Sequence, residues 1–415
     1  MTFAELKLHP GLLAALPTQY QQPTRIQQLA IPVALTGQDV LALAQTGSGK
    51  TLAFGLPLLQ KIQLQQTKPQ QDQTHPRALV LAPTRELATQ ITAVLQPLAQ
   101  AMDIGIVTLC GGVEQALQLA ALATGPQLLV ATPGRLLDLL EQQLLAPGAI
   151  TQLVLDEADR LLEMGFWPDI QRILASLPEQ RQTQLFSATL PAELDDIATH
   201  LLSNPRRIEA HASNSLVTEM EERCYLVNKG SKAQALMALL RQHTWSQVLV
   251  FINARDSADA LAKKLNKAGI QAAALHGDKD QQVRKQTLAE FKDGRVRVLV
   301  ATDLLARGID VAALPVVVNL DLPTSAPVYV HRVGRTARAG KEGLAISLVC
   351  HGESDALAAI VELTGRPIEL LPLAGFPVTD QVASGERKRP PRDKQANRRS
   401  TGKRSIKQFK SSSSR

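Results

Sequence analysis

Cysteine is scarce in this chain of 415 residues: there are three, at Cys110, Cys224 and Cys350, each more than a hundred residues from the next. An odd number at that spacing, without metal-ligand pattern, makes a disulfide framework and a zinc site poor readings, and the thiols suit a reducing cytosol. Aromatic residues make up only 3% of the chain. That shortage argues against the base-stacking platforms of single-strand-binding proteins, and any nucleic acid would be held through its backbone instead. Long apolar runs are missing too, since nothing approaches the ~18 residues of a membrane span. Residues 1–16 include Glu5, Lys7, His9 and Pro10 and show no basic leader with a small-residue cleavage site. A cytoplasmic protein with no membrane association is expected.

What is present reads as globular. The composition is 45% hydrophobic and 20% charged, and at ~150 residues per domain the length leaves room for two folded units and an appendage. The net charge of +7 is unevenly placed: residues 385–415 hold twelve Lys/Arg against Glu386 and Asp393, so this segment carries +10 and the rest of the chain −3. A nearly neutral body has no bulk attraction for a polyanion. Contacts to nucleic acid there require specific donors, with the tail adding a salt-sensitive term.

Short apolar runs recur at residues 40–44, 78–82, 104–110, 127–131, 153–155 and 183–187, with amphipathic stretches such as 84–101 between them. Near-continuous apolar strands separated by helices imply a parallel sheet covered on both faces, and hence an α/β class. The rhythm resumes at 247–252, 270–275, 296–301, 316–320 and 344–350, with 256–268 as the clearest helix. The expected division is a domain over 1–207, a linker over 208–219, a second domain over 220–371 and a basic, disordered tail over 372–415. Gln-rich residues 63–73 read as a solvated loop.

Gln45-Thr46-Gly47-Ser48-Gly49-Lys50-Thr51 follows the first strand and precedes a helical run. Glycines let backbone N–H groups wrap an anion, Lys50 reaches the β/γ-phosphates and the Thr51 hydroxyl ligates Mg2+. Ala44 replaces the leading glycine of the strict pattern, and an ordinary Gly-rich turn is the bland alternative. A strand at 153–155 then runs into Asp156-Glu157-Ala158-Asp159. Asp156 suits a metal and Glu157 an attacking water, whereas a helix cap with acidic first-turn residues would look the same without the phosphate loop. The second half has no such loop. It offers Arg335 and Arg338, three apart and on one face if helical, which could meet a γ-phosphate held by the other half, or form a solvated basic face.

Together these motifs resemble the DEAD-box RNA helicases of helicase superfamily 2, in their bacterial form. The ordered matches are Phe3 with residues 20–27, then 44–51, 83–88, Gly111-Gly112, 132–135, 156–159, 187–189, 250–253, 281–284, 301–310 and 331–338. The resemblance implies two tandem RecA-like domains, each a mostly parallel sheet flanked by helices. It implies adenine recognition by Gln27 with Tyr20 and Phe3, and phosphate binding by Thr46, Gly47, Ser48, Gly49, Lys50 and Thr51. Gly308 and Asp310 approach the ribose. Catalysis falls to Lys50, Asp156, Glu157, Arg335 and Arg338, with Mg2+ on Thr51 and Asp156. Asp159, Ser187, Thr189 and His331 form a relay between the ATP and RNA surfaces. RNA contacts fall on Thr84, Arg85, Gly111, Gly112, Thr132, Gly134, Arg135, Arg284 and Thr302, and Arg307 has no assigned role. Three departures stand out: Gln19 where glycine is common, Arg25 for a frequent proline, and Ala337 for the usual glycine.

The expected function is an ATP-dependent RNA helicase, a monomer whose two domains close on RNA without reading its sequence and separate short duplexes. Its cofactors are ATP and Mg2+, and ribosomal or ribonucleoprotein particles are candidate partners. The alternative is an ATP-dependent RNA clamp or scaffold that unwinds little.

Overall fold

Four-residue runs without polar alternation make strands buried on both faces, and such strands need a helical layer on each side. The structure, a computed structural model, describes residues 1–45, 47–66, 75–210, 220–303, 314–337 and 342–380, apart from the side chains of Gln66 and Gln281. Thr46, Arg307, Gly308, Asp310, Arg338, most of the expected linker and the basic tail beyond 380 lie outside the described residues.

The first sheet contains β1 (Val40–Leu43), β2 (Ala78–Leu81), β3 (Ile106–Leu109), β4 (Leu128–Ala131), β5 (Gln152–Leu155), β6 (Gln182–Ser187) and β7 (Arg206–Glu209). Its helices are α1 (Pro10–Ala15), α2 (Arg25–Thr36), α3 (Lys50–Gln66), α4 (Arg85–Gln100), α5 (Gln115–Leu122), α6 (Pro133–Glu141), α7 (Ala158–Glu163), α8 (Trp167–Ser176) and α9 (Ala192–Leu201). The second sheet contains β8 (Met220–Leu226), β9 (Val248–Phe251), β10 (Ala272–Leu275), β11 (Val298–Ala301), β12 (Val316–Asn319), β13 (Gly343–Val349) and β14 (Leu370–Pro372). With it go α10 (Lys232–Gln242), α11 (Arg255–Lys267), α12 (Gln281–Lys292), α13 (Ala326–Val333) and α14 (Ser354–Thr364).

Among the described residues all strand pairs are parallel, in the orders β3-β4-β2-β5-β6-β1-β7 and β10-β11-β9-β12-β13-β8-β14. Counting β8 as a new first strand, the two orders are the same path, so the chain repeats one fold. Ile26, Phe54 and Leu95 from α2, α3 and α4 cover one face of the first sheet, and Leu136, Ile170 and Leu194 from α6, α8 and α9 cover the other. Leu236 and Leu261 cover one face of the second sheet, and Phe291 lies on the other. Both lobes belong to one compact unit, Met1–Asp380. Among the described residues no helix is long and apolar enough to cross a membrane.

Several expectations shift. β7, β8 and β14 have no counterpart among the predicted strands, because they are charged or exposed strands near one edge of each sheet; β7 reads Arg-Arg-Ile-Glu and buries only Ile208. Ile208 and Glu209, placed in the linker, pair with β1. Gln63 to Gln66 extend α3 rather than forming a loop. Residues 373–380, placed in the tail, are held in place: Leu373 and Phe376 pack on the second core, and Asn228 and Lys229 hydrogen-bond Pro377, Thr379 and Asp380.

Candidate active site

The loop between β1 and α3 turns on Gly47 and Gly49, both with positive φ (84° and 93°). At Gly49 a side chain is excluded twice over, since its Cβ would lie 2.5 Å from Gln27 Nε2. Lys50 opens α3, is buried and donates to Ala44 O at 3.0 Å; Ser48 Oγ donates to Gln45 O at 2.7 Å. Thr51 follows in the first turn, half buried. Gln27 is already engaged. Its Oε1 accepts from Thr24 N at 2.9 Å and its Nε2 donates to Gly49 O at 3.0 Å, so it ties the start of α2 to the phosphate loop. Phe3 is packed in the core and Tyr20 lies half-buried against it.

Across the sheet, β5 delivers Asp156 and Glu157, both under 5% exposed. Burial pushes the Asp156 carboxyl from an ordinary 3.8 up to about 6, against the pull of Lys50. Burial acts the same way on Glu157, yet Arg160, His331, Arg335 and Lys50 outweigh it and hold this carboxyl below its usual range. Glu157 caps α7 with left-handed backbone (φ 51°, ψ 53°), a conformation costing about 1–3 kcal/mol in a side-chain-bearing residue. Arg160 Nη1 donates to its Oε2 at 3.1 Å.

The four residues expected to form a relay come together. Asp159 Oδ2 accepts from Thr189 N (2.9 Å) and Thr189 Oγ1 (2.7 Å), and His331 Nε2 of the second lobe lies 3.0 Å from it. Ser187 Oγ accepts from Asp159 N and donates to Thr189 O. Burial would raise the Asp159 carboxyl, but His331 and Thr189 hold it far below the carboxylate range. Arg335 is not helical, because α13 ends at Val333 and Arg335 lies in the turn beyond. It is 5% exposed, donates through Nε to His331 O, and its charge reaches Glu157.

The RNA candidates fall into two groups. Thr84 and Thr132 cap α4 and α6, with Gly134 and Arg135 in the first turn of α6. Arg85 Nη1 donates to the carbonyls of Gly111 and Gly112, and Arg135 Nη1 to Val113 O. Gly112 has φ 71°, and a Cβ there would lie 2.8 Å from Arg85 Nη1. In the second lobe Thr302 follows β11, and Arg284 is paired across the lobes with Glu86 Oε1 at 3.1 Å.

Comparison with known proteins places this arrangement. The family model described as DEAD/DEAH box helicase matches residues 24–197, and that described as Helicase conserved C-terminal domain matches 231–340. DEAD-box ATP-dependent RNA helicase CshA of Bacillus subtilis is 36% identical over 387 residues, 93% of this chain and 76% of CshA. The chain belongs to the DEAD-box helicase family. ATP-dependent RNA helicase DeaD of Buchnera aphidicola is 40% identical over 351 residues, 84% of this chain, and the chain spans 57% of that relative's length. Among solved structures, S. cerevisiae Dbp5 bound to RNA and ADP BeF3 superposes with a TM-score of 0.79 at 32% identity, covering 89% of this chain and 95% of Dbp5.

Within this DEAD-box chain, sequence reading missed the residues that brace the site. Arg332, fully buried, grips Asp303 through Nε (2.6 Å) and Nη2 (2.7 Å), bonds Asn253, Asn319 and the Asp321 carbonyl, and lies 5.0 Å from the Phe251 ring centroid. Gln118 holds Cys110 and Val113, beside the two glycines. The repeat also explains what the second lobe lacks. Lys232 opens α10 after β8 as Lys50 opens α3 after β1, but its Nζ is taken by Glu353 Oε2 at 2.6 Å, with Asp321 Oδ1 at 3.8 Å. Carboxylates of the chain occupy the lysine that a phosphate would need.

Proposed function

We propose that this chain is an ATP-dependent RNA helicase: it hydrolyses ATP when its two lobes close on RNA, and that closure strains and separates short duplexes locally. The observation that carries the reading is the bond from His331 to Asp159 across the lobes, two residues from Glu157 and beside Arg335. A site completed by both lobes couples turnover to their approach.

The phosphate loop and Lys50 bind the triphosphate, and Gln27, with a donor and an acceptor on one amide, reads the adenine edge while staying linked to Gly49. Among the described residues no group of three or more His, Cys, Asp or Glu is set to hold a metal alone. The donors fit Mg2+, which is usually bound by one or two protein groups plus phosphate and water: Asp156 and Thr51 would hold it. When bound, the ion neutralises charge on the phosphates. Glu157 accepts a proton from the attacking water. Arg335, with Arg338, stabilises charge on the transferred phosphoryl group. Asp159, Ser187, Thr189 and His331 pass the closed state to the RNA side. There, amides at helix starts and Arg85, Arg135 and Arg284 meet sugar and phosphate, which favours RNA of any sequence. The lobes are residues 1–210 and 220–380, and the cytoplasm is the site of action.

Steady-state ATPase with and without single-stranded RNA, alongside displacement of a short duplex, tests the reading. RNA should raise turnover and ATP should drive displacement. Turnover indifferent to RNA would overturn it, and Glu157→Gln should bind ATP and RNA while hydrolysing slowly.

A further inference from the structure

Glu157 enters α7 through a left-handed turn, and one turn later Arg160 reaches back to it. The two side chains are 5% and 1% exposed. Taking two charges out of water costs about as much as their attraction returns, and apolar side chains of similar volume pack as well or better. Stability alone therefore gives no reason for this pair. The neighbouring carboxylates are fixed by other donors: Asp156 by the Glu157 amide, Asp159 by Thr189 and His331. The donor on the Glu157 carboxylate is Arg160, and it takes Oε2. Among the described residues no side-chain or backbone donor bonds Oε1.

We infer that Arg160 is a positioning residue for hydrolysis, gripping Glu157 Oε2 so that Oε1 is left, in a fixed orientation, to accept the proton of the attacking water. The inference rests on the proposed ATPase with Glu157 as its base. In that step the water oxygen bonds to the γ-phosphorus, the bond from γ-phosphorus to the bridging oxygen breaks with its electron pair left on ADP, and the water proton goes to Glu157 Oε1. Arg160 touches no reacting atom. It acts through the torsion of one side chain, as second donors hold catalytic groups in other active sites.

The test is steady-state ATPase of the full chain at saturating RNA for wild type, Arg160→Met, Arg160→Lys, Glu157→Gln and the double variant Glu157→Gln/Arg160→Met, each with a melting temperature. Arg160→Met should lower kcat about tenfold or more while KM for ATP stays within about threefold, the signature of an interaction used in the transition state. Arg160→Lys, which keeps a donor and a charge, should recover part of that loss. On the Glu157→Gln background Arg160→Met should cost nothing further, because the route it acts through is gone. If Arg160→Met does not fold, Arg160→Lys with and without Glu157→Gln reads the same coupling. Wild-type kcat in Arg160→Met, losses that add on the Glu157→Gln background, or a fall in kcat matched by a rise in KM and unrelieved by lysine would overturn the inference alone. A wild-type chain without ATPase would overturn the proposed function and this inference with it.

Discussion

A carboxylate taken out of water must be compensated, and Asp156 is compensated only in part. Its folded pKa, raised to about 6, exceeds the ~3.9 of an unfolded Asp, so the folded protein binds this proton more tightly. Without nucleotide and metal, that group therefore takes stability away as pH rises from about 4 to about 6, and the full penalty persists above. At 1.36 kcal/mol per unit it reaches about 2–3 kcal/mol. Asp156→Asn keeps the acceptor for the Glu157 amide and removes the charge. Urea unfolding of the nucleotide-free variant should show about 2–3 kcal/mol of added stability at pH 8 and almost none at pH 4, together with loss of Mg2+-dependent turnover. Equal stability gains at both pH values would show that ionisation of Asp156 is not the source. The same trade between function and stability holds at Glu157, whose backbone conformation is also unfavourable.

At the scale of elements, the repeated strand path is the informative feature. The segments 40–50 and 220–232 run through equivalent strands into equivalent helices, yet only the first ends in glycines of positive φ, Gly47 and Gly49. In the second, Lys232 is 6% exposed and held by Glu353, which also accepts from Leu322 N and Cys350 N. Lys232→Met would leave that carboxylate without its cation, at a cost of about 3 kcal/mol. Thermal unfolding should show a weakened second lobe with ATP affinity at the first lobe unchanged; an unaltered transition would count against the pair as a strut. The α13 turn makes a smaller point. Ala337 stands at φ 52°, the left-handed region where glycine is at ease, which gives a physical reason for the glycine usual there.

At the scale of the whole molecule, the proposed site takes side chains from both lobes. Arg335→Ala should lower kcat by about 10³ while leaving KM for ATP little changed, since fingers of this kind act on the transition state; steady-state kinetics decides it, and unchanged kcat would remove Arg335 from the machinery. The tail acts otherwise. Deleting residues 385–415 removes +10 from the chain, so RNA affinity should fall and its dependence on salt flatten, with basal ATPase intact. Binding titrations over a range of salt provide the check, and parallel slopes would rule out the tail as a phosphate-binding arm.

The phosphate loop, the acidic run and the α/β alternation are contiguous in the chain, and their chemistry depends on neighbours a few residues away. The order of residues sufficed to place Lys50 and Thr51 where the loop enters its helix, and Asp156 and Glu157 just past the end of their strand. The charged outer strands β7, β8 and β14 were not legible, because pairing rather than apolar content makes them strands. Nor were Arg332 with Asp303, Lys232 with Glu353, or Glu86 with Arg284, whereas the meeting of His331 with Asp159 was implied by the resemblance. These partners are separated by 29 to 198 residues. Which charge finds which partner is set by how each lobe packs and how the two meet, because burial turns a pairing worth little in water into one the fold must satisfy.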